Sequence, residues 1–148
     1  MRVVLQRVTS ASVTVGDREI ARIGSGFALL VAAGRADAPG EVEKIAGKIA
    51  GLRLFADDAG KMNLSLSDVG GKILLVPQFT LYGNVSRGRR PSFDAAAPPE
   101  EAAERIEALA LALEALGVEV ARGAFREHME VALVNDGPVT LVIDGADL

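Results

Sequence analysis

The sequence predicts a mixed α/β fold: a large curved, barrel-like β-sheet with two amphipathic helices packed against it, in a single domain spanning residues 1–148. Three observations predict it. Short runs with apolar residues at alternate positions recur along the chain, one continuous apolar run fills residues 27–33, and two stretches space their apolar residues by three and four. At 15.4 kDa the chain is the size of one ordinary domain, and no repeat or linker divides it.

The elements follow in order. Val3 and Leu5, then Ser12, Val13, Thr14 and Val15, alternate as strands do, and Gly16-Asp17 before Arg18 is a two-residue hairpin signal, so a β-meander is expected first. Residues 27–33 read as a strand covered on both faces. The period then changes: Val42, Ile45, Ile49 and Leu52 form one helix face, with Asp37 and Pro39 upstream as start signals. A strand is expected at 72–76. A second helix starts near Pro98 and Pro99, carries Glu100, Glu101 and Glu104 in its first turns, buries Ile106, Leu109, Leu113 and Leu116, and stops at Gly117. Strands at 118–122, 130–134 and 139–143 complete the sheet.

Composition excludes several classes. With 49% hydrophobic residues and a net charge of −4 (16 − 20), the chain is not of the disordered type. Its longest apolar run is far short of the ~20 residues that cross a bilayer, and its first residues alternate rather than forming a signal peptide, so a cytoplasmic location and no membrane partner are expected. With no cysteine, thiolate chemistry and disulfides are excluded. The single histidine, His128, argues against a zinc site, and no metal or other cofactor is expected. Charge divides unevenly: residues 1–74 carry ten basic against eight acidic groups, +2, and residues 75–148 six against twelve, −6. The exception in the acidic half is a loop holding Arg87, Arg89 and Arg90 between glycine and proline.

The signatures G-x-S-x-G, H-E-x-x-H, the P-loop and G-x-G-x-x-G are all absent. A Ser/His/Asp triad would have to use His128, which lies in FREHMEV between two glutamates. Three segments carry unusual residues at strand ends: PQFTLYG, NDGPVT and GRRPSF. In the first, Pro77 interrupts an apolar strand, which would free backbone amides near Gln78 and Phe79 for an oxyanion site or leave a plain edge bulge. In the second, Gly137-Pro138 breaks a strand pattern and reads as a turn or as a place for a cis peptide.

Six strings, QRVTSASV (6–13), FADDAGKMNLSL (55–66), PQFTLYG (77–83), RGRRPSF (87–93), GAFREHM (123–129) and VNDGPVT (134–140), together resemble the D-aminoacyl-tRNA deacylases, in family order and across nearly the whole chain. The resemblance implies a homodimer that hydrolyses the ester joining a D-amino acid, or glycine, to the 3′ acceptor end of tRNA. It also implies roles. Gly137 and Pro138 match an element that one subunit inserts into its partner's site, where backbone carbonyls exclude an L side chain, and Arg7 matches the arginine that holds it. Gln78, Phe79 and Thr80 match the strand end that binds the scissile ester, and Phe125 and Met129 match residues lining an adenine pocket. At Pro77 this chain departs from the family's usual serine; proline there resembles a related animal deacylase that tolerates some L-alanyl substrate, whereas Arg7 and NDGPVT follow the D-specific pattern.

The implied chemistry suits the composition. An aminoacyl ester is already activated and has a neighbouring ribose hydroxyl, so rigid backbone donors suffice without histidine, cysteine or metal. Steric rejection of an L side chain also explains why glycine is accepted, since it has none. Only the acceptor end need be held, by a few contacts such as Arg87, Arg89 and Arg90. Two rivals stand beside this reading: a non-catalytic RNA-end binding module, and a small-molecule serine esterase built on His128.

Overall fold

The computed structural model describes residues 1–148. A long strand, β1 (Arg2–Val15), turns at Gly16 and Asp17 into β2 (Arg18–Ile23), followed by β3 (Gly26–Ala32). This is not a meander. β3 pairs antiparallel with the first half of β1 (Arg2↔Ala32 to Val8↔Gly26) while β2 pairs with the second half (Ala11↔Ile23 to Val15↔Arg18), because β1 is long enough for one edge to hold both. Then come α1 (Glu41–Gly51), the small hairpin β4 (Phe55–Ala56) and β5 (Met62–Leu64), β6 (Lys72–Pro77), a 3₁₀ helix (Phe79–Tyr82), α2 (Pro99–Ala115), β7 (Val120–Arg122) and β8 (Glu130–Asp144). β6 runs parallel to β3 and β7 parallel to β6, so each pair needs a long crossover, which α1 and α2 provide. The order is β2-β1-β3-β6-β7, with β8 on the other edge of β1 and β2 curling round to touch β6 and β7, a nearly closed barrel.

Two cores result from the two faces of the sheet. Phe27, Leu29 and Val31 of β3 and Ile73 and Leu75 of β6 face the helices, where they meet Ile45, Ile49, Ile106, Leu109 and Leu113. The alternate residues Ala28, Leu74 and Val76 face the barrel interior with Val8, Ala11, Val13 and Ile23. That double coverage is why residues 27–33 are uniformly apolar. Truncating a fully buried residue such as Leu109 to alanine should cost about 2–5 kcal/mol. Where β3 and β6 begin side by side, only glycine fits: a Cβ on Gly26, whose φ is +157°, would lie 1.8 Å from the Lys72 carbonyl oxygen.

Three local expectations are corrected. Leu116 is 52% exposed, because α2 has ended at Ala115 and the chain is turning back toward β7. Asp37 does not cap α1, whose N-cap is Gly40. Its carboxylate instead accepts from the Gly34 N–H (2.9 Å) and the Tyr82 hydroxyl (3.4 Å) and pairs with the Met1 ammonium and with Arg105 (3.7 Å), tying four parts of the chain together. The two C-terminal strands are one element. β8 pairs with β1 from Arg2↔Asp144 to Gln6↔Thr140 and again from Val8↔Asn135 to Thr14↔Glu130, and residues 136–139 leave the ladder opposite Arg7 and rejoin it.

Candidate active site

At the carboxyl ends of β3 and β6 the two cores separate and leave an open cavity of about 590 Å³. This is where parallel strands usually present a ligand site, because the crossovers leave the sheet there. Val76, Pro77, Gln78 and Phe79 form one wall, Phe125, His128 and Met129 face them, and Ala96, Ala97 and Ile106 close the helix side.

The β6 exit is held mainly by backbone. Pro77 is still in register with Val31, and the Gln78 N–H donates to the Val31 carbonyl at 2.8 Å. The expectation of a free amide at Gln78 is therefore wrong: the ladder continues one residue past the proline, since the proline's missing N–H does not prevent the next residue from pairing. The free donors lie one step further on. Leu81 N–H bonds back to the Gln78 carbonyl (3.2 Å), which starts the 3₁₀ helix and leaves the Phe79 and Thr80 N–H groups at its head with no carbonyl behind them. The Gln78 side-chain amide donates to the Thr80 hydroxyl. Phe79 is 57% exposed and meets Phe93 edge-on at 5.0 Å. Behind the helix, Arg2 lies 4.7 Å over the Tyr82 ring and donates to the Leu81 carbonyl (3.0 Å). Burial first and the Asp37 carboxylate second push the Tyr82 hydroxyl far above its ordinary pKa, so it stays protonated and donates to Asp37.

The opposite wall is the segment after β7. Its first residue is fixed by the Gly123 N–H on the Leu75 carbonyl (2.8 Å). Phe125 packs against the helix-side core and Met129 against the barrel interior, so the pair spans the seam where the cores part. Between them Arg126 has a φ of +62°, the one non-glycine residue with positive φ, a conformation that costs an arginine about 1–2 kcal/mol. His128 lines the cavity but makes no side-chain hydrogen bond, so no Ser/His/Asp relay is assembled around it.

Arg7, Gly137 and Pro138 are not part of this cavity. They form a separate feature, the excursion of residues 136–139 from β8. Arg7 Nε donates to the Asp136 carbonyl (3.1 Å) and lies 3.4 Å from its carboxylate, while Arg7 Nη1 donates to the Leu54 carbonyl. Asn135, which sequence reasoning passed over, closes the base: its Oδ1 accepts from the Val139 N–H and its Nδ2 donates to the Thr140 hydroxyl, both at 2.9 Å. The signal was present, since an asparagine opening a turn is a common side-chain mimic of a backbone acceptor. The Gly137-Pro138 peptide is cis. Gly137 has a φ of +135°, and a Cβ there would sit 2.8 Å from Val139 Cγ2.

Arg87, Arg89 and Arg90 lie on an exposed loop pinched at its base by the Asn84–Ser92 bridge (2.7 and 2.9 Å), and none makes an ion pair or lines the cavity. Thr80 is likewise outside the lining, next to Phe79 in the 3₁₀ helix. One chain thus brings together Gln78, Phe79, Phe125 and Met129, and leaves Arg7, Gly137, Pro138 and the three arginines elsewhere. The Ala96–Ala97 wall was not foreseen, because small apolar residues before a helix read as its lead-in, and Phe93 was marked only as the end of the RGRRPSF string.

Comparison with known proteins gives a consistent result. A family model described as D-Tyr-tRNA(Tyr) deacylase matches residues 4–144. A protein from Desulforudis audaxviator named D-aminoacyl-tRNA deacylase is 52% identical, covering 100% of this chain and 99% of its own length, and one of the same name from Thermomicrobium roseum is 55% identical over 100% and 96%. Among solved structures, one named c-Myc DNA Unwinding Element Binding Protein superposes with a TM-score of 0.90 at 38% identity, covering 97% of this chain and 98% of that one. A probable eukaryotic D-amino acid tRNA deacylase gives 0.80 at 20% identity over 96% and 97%, a likeness of fold.

Proposed function

The chain belongs to the D-Tyr-tRNA(Tyr) deacylase family, and from that premise we propose that it is a chiral proofreading hydrolase acting on the 3′ acceptor end of D-aminoacyl-tRNA and glycyl-tRNA, and sparing L-aminoacyl-tRNA. Water attacks the ester carbonyl carbon, the bond to the ribose 3′ oxygen breaks, and a free amino acid and tRNA leave. The observation that carries the reading is the pair of unpaired N–H groups, Phe79 and Thr80, at the head of the 3₁₀ helix beside the cavity. They are suited to receive the negative charge that develops on the carbonyl oxygen. The terminal adenine lies against Phe125 and Met129, and the ribose 2′ hydroxyl assists the attacking water, so that no side chain need act as base.

Chirality comes from Gly137 and Pro138 of a second copy. Two observations support an arrangement of two chains: the cavity of one chain lacks these residues, and β8, which carries them, pairs on one edge only and exposes Val134 and Val142. Their carbonyls form a wall that a D substituent points away from and an L substituent strikes. All of residues 1–148 serve this one activity, in the cytoplasm where tRNA is charged; no helix of the chain is long and apolar enough to cross a membrane.

A second reading, a binder of nucleic-acid ends without catalysis, is favoured by the structural relative at 38% identity, whose name describes a DNA-binding protein. Incubation with D-tyrosyl-, L-tyrosyl- and glycyl-tRNA separates the two. A deacylase releases the first and third amino acids and spares the second, and a binder leaves all three esters intact. An L-alanyl-tRNA arm tests whether Pro77 relaxes the wall. Equal loss of D and L esters would overturn the chiral reading. Substrate ending in 2′-deoxyadenosine, charged at its 3′ hydroxyl, should bind normally and react about 100-fold more slowly; normal hydrolysis would put a protein base back into the mechanism.

A further inference from the structure

We propose that Arg126 binds the phosphodiester that joins the terminal adenosine of the acceptor end to the nucleotide before it. The juxtaposition that suggests it is an unpaired guanidinium at the mouth of the cavity, between the two residues proposed to hold the adenine, on backbone that an arginine adopts only at a cost. Arg126 lines the cavity, is exposed, and makes no hydrogen bond or ion pair through its side chain. Nothing within the chain offsets its left-handed φ of +62°. Glycine would take that conformation without strain, so the side chain is what the position retains at the expense of backbone ease.

The ligand follows from the geometry. The inference rests on the deacylase reading: with the ester at the Phe79 and Thr80 amides and the adenine against Phe125 and Met129, which pack on the two cores, the 5′ phosphate of that adenosine would leave the cavity past the exposed residue 126 between them. Arg126 immediately follows Phe125 in sequence and precedes Met129 by three. The other arginine of the lining, Arg35, has its Nε committed to the Asp94 carbonyl at 2.7 Å. Arg126 is thus the cation of the lining with its whole donor fork free, and a planar fork suits two phosphate oxygens at once. In a chain of net charge −4, such a contact matters more than it would on a basic surface.

The test compares Arg126→Gly and Arg126→Lys with the wild type, using D-tyrosyl-tRNA over a range of salt. Arg126→Gly should raise KM about 10-fold with kcat within about twofold, as expected for loss of uniform binding. It should flatten the log KM against log salt slope by about 0.7, the value for one phosphate on a single strand. Its Tm should be equal or higher by about 2 °C, since strain is relieved. Arg126→Lys, which keeps the charge and the strain, should retain the salt slope and recover part of KM. Unchanged KM and slope in an active Arg126→Gly enzyme would overturn the proposal, and so would a raised KM accompanied by a lowered Tm, which marks a structural role. If the wild type itself leaves D-tyrosyl-tRNA intact, it is the deacylase reading that fails.

Discussion

Two prolines stand where the chain departs from the sheet, and the two departures run in opposite senses. At Pro77 the chain leaves β6 into a concavity, pinned by the Gln78 amide on Val31 and by Tyr82 and Arg2 behind the 3₁₀ helix. At Pro138 it leaves β8 outward, returns to the same strand, and is braced from below by the Arg7 and Asn135 side chains. The first feature is a receptacle whose shape is set by backbone. The second is a projection whose shape is set by two side chains and one glycine. In the proposed enzyme they meet only between two copies, so reaction and selection are carried by regions that can be damaged separately.

The sharpest way to break the comparison is Gly137→Ala. The new Cβ meets Val139 and lies 3.2 Å from Arg7 Nη2, so the projection must move while the cavity stays intact. The ratio of D to L turnover should collapse by about 100-fold, the usual consequence of misplacing a positioning group by an ångström. Paired D and L assays on the folded variant measure it, and an intact ratio would detach the projection from selectivity. Next is Thr80→Ala on the concave side. If backbone amides carry the charge, turnover should fall about 10- to 100-fold, or ~1.4–2.7 kcal/mol, with the D to L ratio unchanged. Abolished turnover, or a trapped acyl-enzyme on the wild-type hydroxyl, would make Thr80 a nucleophile.

Smaller effects test the surroundings of both features. Replacing Arg87, Arg89 and Arg90 together should raise KM a few-fold and reduce the salt slope by about 0.7 per phosphate lost, leaving kcat alone. An unchanged slope would return that loop to solvent. Smallest is Asp144→Asn, which removes the partner of Arg2 (3.1 Å) and hence part of the support behind the 3₁₀ helix. Burial acts to raise the Asp144 carboxyl, but the Ala146 N–H and the Arg2 guanidinium outweigh it and its pKa is lowered. A lowered folded value means that the stabilisation is complete above the unfolded carboxyl value of about 4 and fades as pH falls below it. Thermal melts should therefore show the variant about 2–4 °C less stable at pH 7, converging on the wild type in acid, with activity little changed.

Periodicity located both helices, the β1–β2 hairpin and the doubly buried β3, because each of those buries a face and burial leaves a spacing. It could not show that β2 and β3 share one edge of β1, since register depends on partners distant in sequence. The six strings marked Gln78, Phe79, Phe125 and Met129, which the structure gathers around one cavity. What escaped the sequence was which amide is free. Gln78 reads as the exposed donor beside a proline, yet a parallel neighbour, Val31, uses it. The role of Asp37 escaped for the same reason: a short polar side chain before a helix looks like a local cap until its remote partners Met1, Tyr82 and Arg105 are known.

The excursion of residues 136–139 also bears on solubility. β8 lies along the outside of the sheet with one edge unpaired and with Val131, Val134 and Val142 exposed, and a long edge of that kind is a template on which strands of other molecules can stack. Proline has no N–H to give an incoming strand, and the excursion separates residues 130–135 from 140–144 and shifts their register on β1. The free edge is thus broken into two short segments and does not offer one continuous strand as a template. Any substitution that smoothed this detour into regular strand, whatever it did to substrate choice, would therefore be expected to shorten the shelf life of the concentrated protein by promoting fibre-like growth along β8.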